Sequence, residues 1–439
     1  MFALALLLPL TAQAGPVIQH WQTGNGARVY FVPAPELPIV DVQVVFDAGS
    51  SRDNGKPGVA ALTSNLLSEG VKTADGELNA DQIAERFENL GAHFGAGADR
   101  DMATVNLRSL TDPALLQPAL DTLALVMSQP TFPQGGLERE RKRTLIGLQA
   151  QDQSPGEIAS KTFFTALYGG HPYATQPLGT MESINKLTRD DIVAHHGRYY
   201  VARNAVVAIV GALDRKQAET LAETVVGKLP EGAAPEPLPK VDGLDDAHAT
   251  KLVHPSAQTH ILVGQPGMTR DDPDYFALLV GNHILGGSGL VSRLSDEIRE
   301  KRGLSYSAYS YFAPMRVKGP FILGLQTRNE QADNALQVLR DTLQKFVEQG
   351  PTQAELTAAK QNITGGFALR IDSNGKVADY LALIGFYGLP LDFLDSYTGY
   401  VEKVTLEQIK DAFKRRVNPA QMVTVVVGGA PEDKAVAQH

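Results

Sequence analysis

Two stretches decide how this chain is read: "LTRDDIVAHHGRYYVARNAVVAIVGALD", Leu187–Asp214, and "VTLEQIKDAFKRRVNPAQMVTVVVGGAP", Val404–Pro431. Each opens on a threonine, Thr188 or Thr405, suited to cap a helix. Three residues on, Asp191 or Gln408 can answer the cap's own backbone amide. A helix follows in each, then an apolar β-type run. The runs are Ala205–Val210, closed by Gly211, and Met422–Val427, closed by Gly428.

The likeness extends outward to the start of each half. "VDVQVVFDAGSS", from Val40, leads to a helix at Val59. "THILVGQPGMTRDD", from Thr259, leads to a helix from about Tyr275. Four ordered matches imply a duplicated unit. Between the copies lies "KLPEGAAPEPLPKVDGLDD", Lys228–Asp246, acidic and with four prolines, which reads as an extended, exposed linker. The expected organisation is a domain at 15–227, a linker at 228–246 and a domain at 247–435. Long helices between short alternating strands predict α+β domains, each an antiparallel sheet with helices on one face.

Bulk properties bound the function. A length of 439 residues suits two large domains, and 43% hydrophobic with 20% charged residues is ordinary for a globular chain. The net charge is −9 with no basic tract, which argues against nucleic acid as a partner. With no cysteine, the chain can form no disulfide, thiolate metal site or cysteine nucleophile. "MFALALLLPLTAQAG" combines an apolar run, Phe2–Leu10, with a small-residue cleavage signature, Ala12-Gln13-Ala14. It reads as a signal peptide over residues 1–14 and implies export to the periplasm; a buried N-terminal strand is the alternative. The run is too short to span a bilayer, and no other segment is long and apolar enough.

"GVAALTSNLLSEG", Gly58–Gly70, poses the functional question. Ala60, Ala61, Leu62, Leu66 and Leu67 give it an apolar helical face, yet no residue in it can do catalysis. Its setting resembles the pitrilysin and mitochondrial processing peptidase family of zinc metallopeptidases. There a strand, "GS" and a loop precede "GxAHxxEH", and here Gly49-Ser50 precede "GVAALTSN". "HPYATQPLGTMESINKLTRDDI" (from His171) and "LGGSGLVSRLSDEIREKRGLSYSAYS" (from Leu285) carry the same resemblance. It implies two homologous domains that form half of a clamshell or a whole one. Active members hold zinc through H-x-x-E-H, whose one-turn spacing puts both histidines on one helix face while the glutamate polarises bound water. On this chain the resemblance puts Ala61 and Asn65 at the histidines and Ser64 at the glutamate. The third ligand falls on Gly147, in "ERKRTLIGL". All four positions have lost the chemistry, so no metal is expected in this chain.

Other histidines offer little. His195 and His196 are adjacent, so on a helix they point about 100° apart; a helix-surface pair is the plain reading. His171 precedes a proline in a loop and reads as structural. His283, in "GNHILGG", reads as a satisfied, partly buried residue, and Gly286–Gly289 as a tight turn, since the spacing fits no phosphate loop.

In the second half "IREKRGLSY" holds Arg299 and Tyr306 in the R-x6-Y spacing, with Gly303 reading as the glycine that ends a helix. Arg299 would lie on the last helical turn and Tyr306 on the next strand. In active family members, the resemblance implies, this pair reaches the substrate carbonyl beside the zinc and donates to the developing oxyanion. The plain alternative pairs Arg299 with Glu297 or Glu300 and leaves Tyr306 to pack; Arg302 lies off the family spacing. Some bacterial members divide the work between a zinc-bearing chain and an Arg/Tyr chain. The resemblance therefore implies a non-catalytic subunit of a periplasmic peptidase heterodimer, with a homologous zinc-bearing partner and peptide substrates. The alternative is a structural or peptide-holding scaffold of the same fold.

Export is checked directly: N-terminal sequencing of the natively produced protein should begin at Gly15. An intact Met1 on a cytoplasmic product would reverse the signal-peptide reading.

Overall fold

The computed structural model describes residues 17–429, so the Met1–Ala14 reading lies outside the described residues. The first half contains β1 (Gln19–Gln22), β2 (Arg28–Pro33), β3 (Ile39–Phe46), β4 (Gly70–Thr73), β5 (Gly76–Asn79), β6 (His93–Ala98), β7 (Ala103–Leu110) and β8 (Ala205–Gly211). The second contains β9 (His248–Leu252), β10 (Gln258–Pro266), β11 (Ala308–Phe312), β12 (Pro320–Arg328) and β13 (Val423–Val427). The sheets run β1-β2-β8-β3-β7-β6 and β9-β13-β10-β12-β11, and β4-β5 is a separate hairpin. Apart from β1, the two orders superimpose strand for strand, and the end-of-half runs β8 and β13 occupy the same place. The duplication read from Leu187–Asp214 and Val404–Pro431 is thus a duplication of topology.

The structure amends the expected sheet in two respects. Each sheet holds one parallel pair, β2 with β8 and β9 with β13, among antiparallel ones. Helices also cover both faces. Val29, Phe31, Val42 and Phe46 share a core with Leu62, Leu66 and Leu120 from helices of their own half. The opposite face, with Tyr30, Val45, Val206 and Ala208, packs on Ala378, Leu381 and Ala382 of the Asn374–Tyr387 helix, which belongs to the second half. The second sheet receives the reciprocal helix, Pro155–Tyr168: Ala159, Phe163 and Leu167 meet Ile322, Val423 and Val425. Close approach needs space. A Cβ on Gly385 would come within 2.5 Å of the Tyr30 ring, and one on Gly264 within 2.8 Å of Phe163.

The exchange is secured by a buried polar knot at the β6–β7 turn. Asp101 accepts hydrogen bonds from the Tyr173 hydroxyl, from the Tyr387 hydroxyl at 2.9 Å and from the Arg316 backbone amide at 2.8 Å. The Arg316 guanidinium lies 4.1 Å over Phe386 and 3.4 Å from Asp47, which also binds Arg52 through both oxygens at 2.6 and 2.7 Å. Lys228–Asp246 contains no helix or strand. It is less free than its composition suggests: Leu238 is buried, Arg52 donates to the Glu236 carbonyl at 2.7 Å, and the His171 ring bonds the Pro239 carbonyl at 3.1 Å. Leu238 joins the core beneath the exchanged helix, which is why this stretch is pinned.

Asp101→Ala should lower stability by about 3 kcal/mol, because it strands the buried Tyr173 hydroxyl, the partly buried Tyr387 hydroxyl and a backbone amide at once. Urea unfolding, with the exposed Asp99→Ala as reference, measures this; equal midpoints would remove Asp101 from the interlock.

Candidate functional site

The Val59–Leu66 helix begins at Gly58, whose φ of 90° provides no side-chain cap. Asp53, from the preceding loop, caps it instead: its carboxylate accepts the Gly58 and Ala60 amides at 2.8 and 3.0 Å. Burial outweighs those two bonds and raises the Asp53 carboxyl to about 7. Ala61 is buried and offers no donor atom. Ser64 is 1% exposed, and its hydroxyl lies 2.9 Å from that of Tyr200. The position matching the motif's glutamate has therefore been absorbed into the core.

The Gln134–Gln151 helix packs alongside, with Glu69 beside Gly136 and ion-paired to Arg139. Gly147 faces open space, since no atom lies within 4 Å of a Cβ built there. On the same helix Glu140 pairs with Arg143 at 3.3 Å through one oxygen, while the other is buried without a partner. Among the described residues no three histidine, aspartate or glutamate side chains gather to hold a metal. An alanine, an asparagine and a glycine do not make a zinc site.

The histidines are structural, but not as the sequence suggests. His195 and His196 are not a surface pair. His195 is buried, its ring 3.3 Å from the Ala48 carbonyl, and burial lowers its pKa to about 4. The His196 ring bonds the Met127 carbonyl at 2.8 Å and stacks on Tyr200, 4.9 Å between centroids. Both lie inward because the Arg189–Tyr199 helix packs on the Val59–Leu66 helix. The His171 ring accepts the Tyr173 amide at 3.0 Å and ties down the linker. His283 is partly buried, as read, but its ring makes no hydrogen bond among the described residues; burial, then Arg370, lowers its pKa.

The second half is built differently. His283–Gly287 forms a π-helical turn, and Gly289 has a φ of 64°. A Cβ on Gly286 would lie 2.4 Å from the Ser310 amide, so glycine lets this turn press on β11. The Asp296–Glu300 segment that follows is also π-helical and ends at Gly303, φ 60°, whose amide donates to the Arg299 carbonyl at 2.9 Å. Arg293 anchors the start of this stretch to Glu355 through two bonds of 2.6 and 2.7 Å. Burial alone would raise the Glu355 carboxyl, but Arg293 and the Thr352 cap outweigh it and hold it at about 2.

Arg299 and Tyr306 line one open groove together with Gln258, Leu304, Gln326 and Arg328. Arg302 is engaged elsewhere, bonding the Glu297 carboxylate at 2.6 Å. Arg299 pairs with Glu300 at 3.5 Å, as the plain alternative expects, and its side chain remains 35% exposed. Tyr306 does not pack: it is 86% exposed, and it precedes β11 by two residues instead of lying on it. The displacement has a local cause, since the Ser305 hydroxyl bonds the Ser307 and Gln326 carbonyls at 2.7 Å and bends the chain there. The degenerate positions of the first half do not line this groove. Gln258, Gln326 and Arg328 escaped the sequence reading, because β10 and β12 bring them in from far along the chain.

Fold and site together define a duplicated α+β protein in which the Val59–Leu66 helix of one half carries no histidine or carboxylate and the other half bears an arginine–tyrosine groove. The family model for insulinase-type peptidases (peptidase family M16) matches residues 28–181, and that of the peptidase M16 inactive domain matches 186–363. A solved M16 inactive domain from Pseudomonas fluorescens is 41% identical, with a TM-score of 0.90 over 94% of this chain and 98% of that one. A non-peptidase homolog from Helicobacter pylori, YmxG, is 27% identical over 403 residues, 91% of each chain. A chain of complex III2 from Candida albicans shares the fold at 18% identity, TM-score 0.76, covering 93% of this chain and 95% of its own. The chain belongs to the M16 peptidase family, as a member whose Val59–Leu66 helix carries no histidine, aspartate or glutamate.

Purified protein should carry no stoichiometric zinc after dialysis. The triple variant Ala61→His, Ser64→Glu, Asn65→His should also fail to retain it, for want of a ligand at Gly147. Ser64→Glu alone should cost on the order of 2 kcal/mol, because it buries a carboxylate against Tyr200. Gly147→Glu should fold at least as well as the parent, glycine being the poorer helix former by up to about 1 kcal/mol. Metal analysis and urea midpoints check these outcomes, and tight zinc in the triple variant would show Gly147 to be the wrong position.

Proposed function

We propose that this chain is the non-catalytic subunit of a periplasmic zinc metallopeptidase heterodimer and supplies Arg299 and Tyr306 to a homologous zinc-bearing partner. The observation that carries the proposal is their shared groove: a partly exposed guanidinium and an exposed phenol line it together, in a chain whose Val59–Leu66 helix holds no histidine or carboxylate. A tyrosine 86% exposed does nothing for folding. Its hydroxyl and the Arg299 guanidinium are hydrogen-bond donors suited to a peptide carbonyl and to the negative charge that grows on it during hydrolysis. The Arg293–Glu355 bridge fixes the segment that presents Arg299, which preorganises the donor. The apolar Phe2–Leu10 run before Ala14 supports a periplasmic location.

If the pair acts on the transition state, its removal lowers kcat more than it raises KM. Tyr306→Phe should leave folding and assembly unchanged and reduce turnover of the reconstituted complex by roughly 10²-fold, the scale of one lost oxyanion donor. Arg299→Ala should be at least as damaging. Assembly is verified by size exclusion before peptide cleavage is measured. Full activity from an assembled Tyr306→Phe complex would leave the chain as a scaffold.

A further inference from the structure

The exchanged Pro155–Tyr168 helix does not seal the second sheet. Between its first turns and β11–β12 lies a cleft of about 290 Å³, walled by Ala159, Phe164, His260, Tyr309, Tyr311 and Ile322. Tyr309 and Tyr311 alternate along β11, so both face the helix; their rings stack 6.0 Å apart and remain 38% and 41% exposed. The Tyr309 ring lies over Gly324, where a Cβ would come within 2.4 Å of it. The cleft thus offers two partly exposed tyrosine rings beside the His260 ring.

Its position gives it meaning. Gln326 lines both this cleft and the Arg299–Tyr306 groove, and Ser307, the residue after Tyr306, lines the cleft. The two depressions adjoin at Gln326. The equivalent crevice of the first half, between β3–β7 and the Asn374–Tyr387 helix, is lined by His93, Asp379 and the Asp41–Arg108 ion pair, 2.8 Å. The same architecture therefore produces a charged crevice in one half and an aromatic one in the other, and helix exchange does not account for the tyrosines.

We propose that this cleft is a side-chain subsite that takes an aromatic residue of an extended peptide held at Arg299 and Tyr306. The inference rests on the functional reading above and names its substrate class. The cleft exceeds the roughly 150 Å³ that suffices for a benzene ring, and Phe164, Tyr309 and Tyr311 can meet a ring by stacking or edge contact. An extended peptide advances about 3.3 Å per residue, so a neighbour of the residue held in the groove is the one offered to the adjoining cleft.

The test uses peptides that differ at one position only, phenylalanine, tyrosine, alanine or aspartate. The reconstituted complex should cleave the aromatic peptides about 10- to 100-fold faster in kcat/KM than the alanine one, the discrimination available to an apolar pocket. Ser160→Phe, which fills the cleft from the helix, and Tyr311→Ala, which removes a wall, should each bring the aromatic-to-alanine ratio toward unity. A second readout needs no turnover: fluorescence anisotropy of labelled peptides on this chain alone should show the same preference and the same loss. Equal cleavage and binding of aromatic and alanine peptides by the unmodified protein would overturn the subsite, whatever the variants do. The two proposals separate cleanly. Aromatic preference in binding, with full turnover by Tyr306→Phe, keeps the subsite and removes the oxyanion role. Loss of turnover in Tyr306→Phe without aromatic preference does the reverse.

Discussion

Two sheets with apolar side chains on both faces, and helices of their own half on only one, set the terms for this molecule. Every position of β8 is buried, as is nearly all of β13, so each strand needs cover above and below. Each half lends the other a helix to provide it. Burial of this kind contributes about 25 cal/mol per Å² of apolar surface, and parting the halves would return both inner faces to water. Asp101 and Arg316 add direction to that adhesion. A buried carboxylate that gathers donors from Tyr173, Arg316 and Tyr387 allows one arrangement of the halves and penalises others by leaving donors unpaired.

Within that frame the halves have diverged in what they can do. The Val59–Leu66 helix remains because the core needs it: Leu62 and Leu66 are fully buried, Asp53 caps its start, and Ser64 meets Tyr200. A helix can lose its ligands and keep its place, since packing depends on the buried face and metal binding on a few polar atoms. The second half carries the reverse balance. Its π-helical turns and Gly303 bend the chain so that Arg299 and Tyr306 stand at the surface, while Arg293 and Arg302 are spent on Glu355 and Glu297. An exposed tyrosine beside a groove-lining arginine is a feature that folding alone does not require.

The repeat was legible because threonine caps and glycine-closed strands are local devices. Thr188 with Asp191 and Thr405 with Gln408 form the capping boxes their spacing suggests. Gly303 was legible for the same reason, as a glycine at positive φ after a helical turn. The burial of His195 and His196 has no local mark, because adjacency on a helix says nothing about which neighbours cover it. The pinning of the linker has none either, because proline content predicts extension and not the burial of Leu238. Asp101 had no local mark at all: its partners lie 72, 215 and 286 residues away.

By itself the sequence determined that the chain is a duplicated α+β protein, that Gly58–Gly70 holds no H-x-x-E-H motif, and that an arginine and a tyrosine stand at a defined spacing. Each of these follows from residue identity and short-range pattern, which the chain carries wherever it folds. Only the tertiary structure decided that the halves exchange helices, that Ser64 is sealed against Tyr200, that Arg299, paired with Glu300, lines a groove while Arg302 bonds Glu297, and that Tyr309 and Tyr311 border a cleft roofed by a helix from the other half. These depend on which surfaces meet across long loops. That choice is made by the joint burial of many side chains, and no short stretch of sequence contains it.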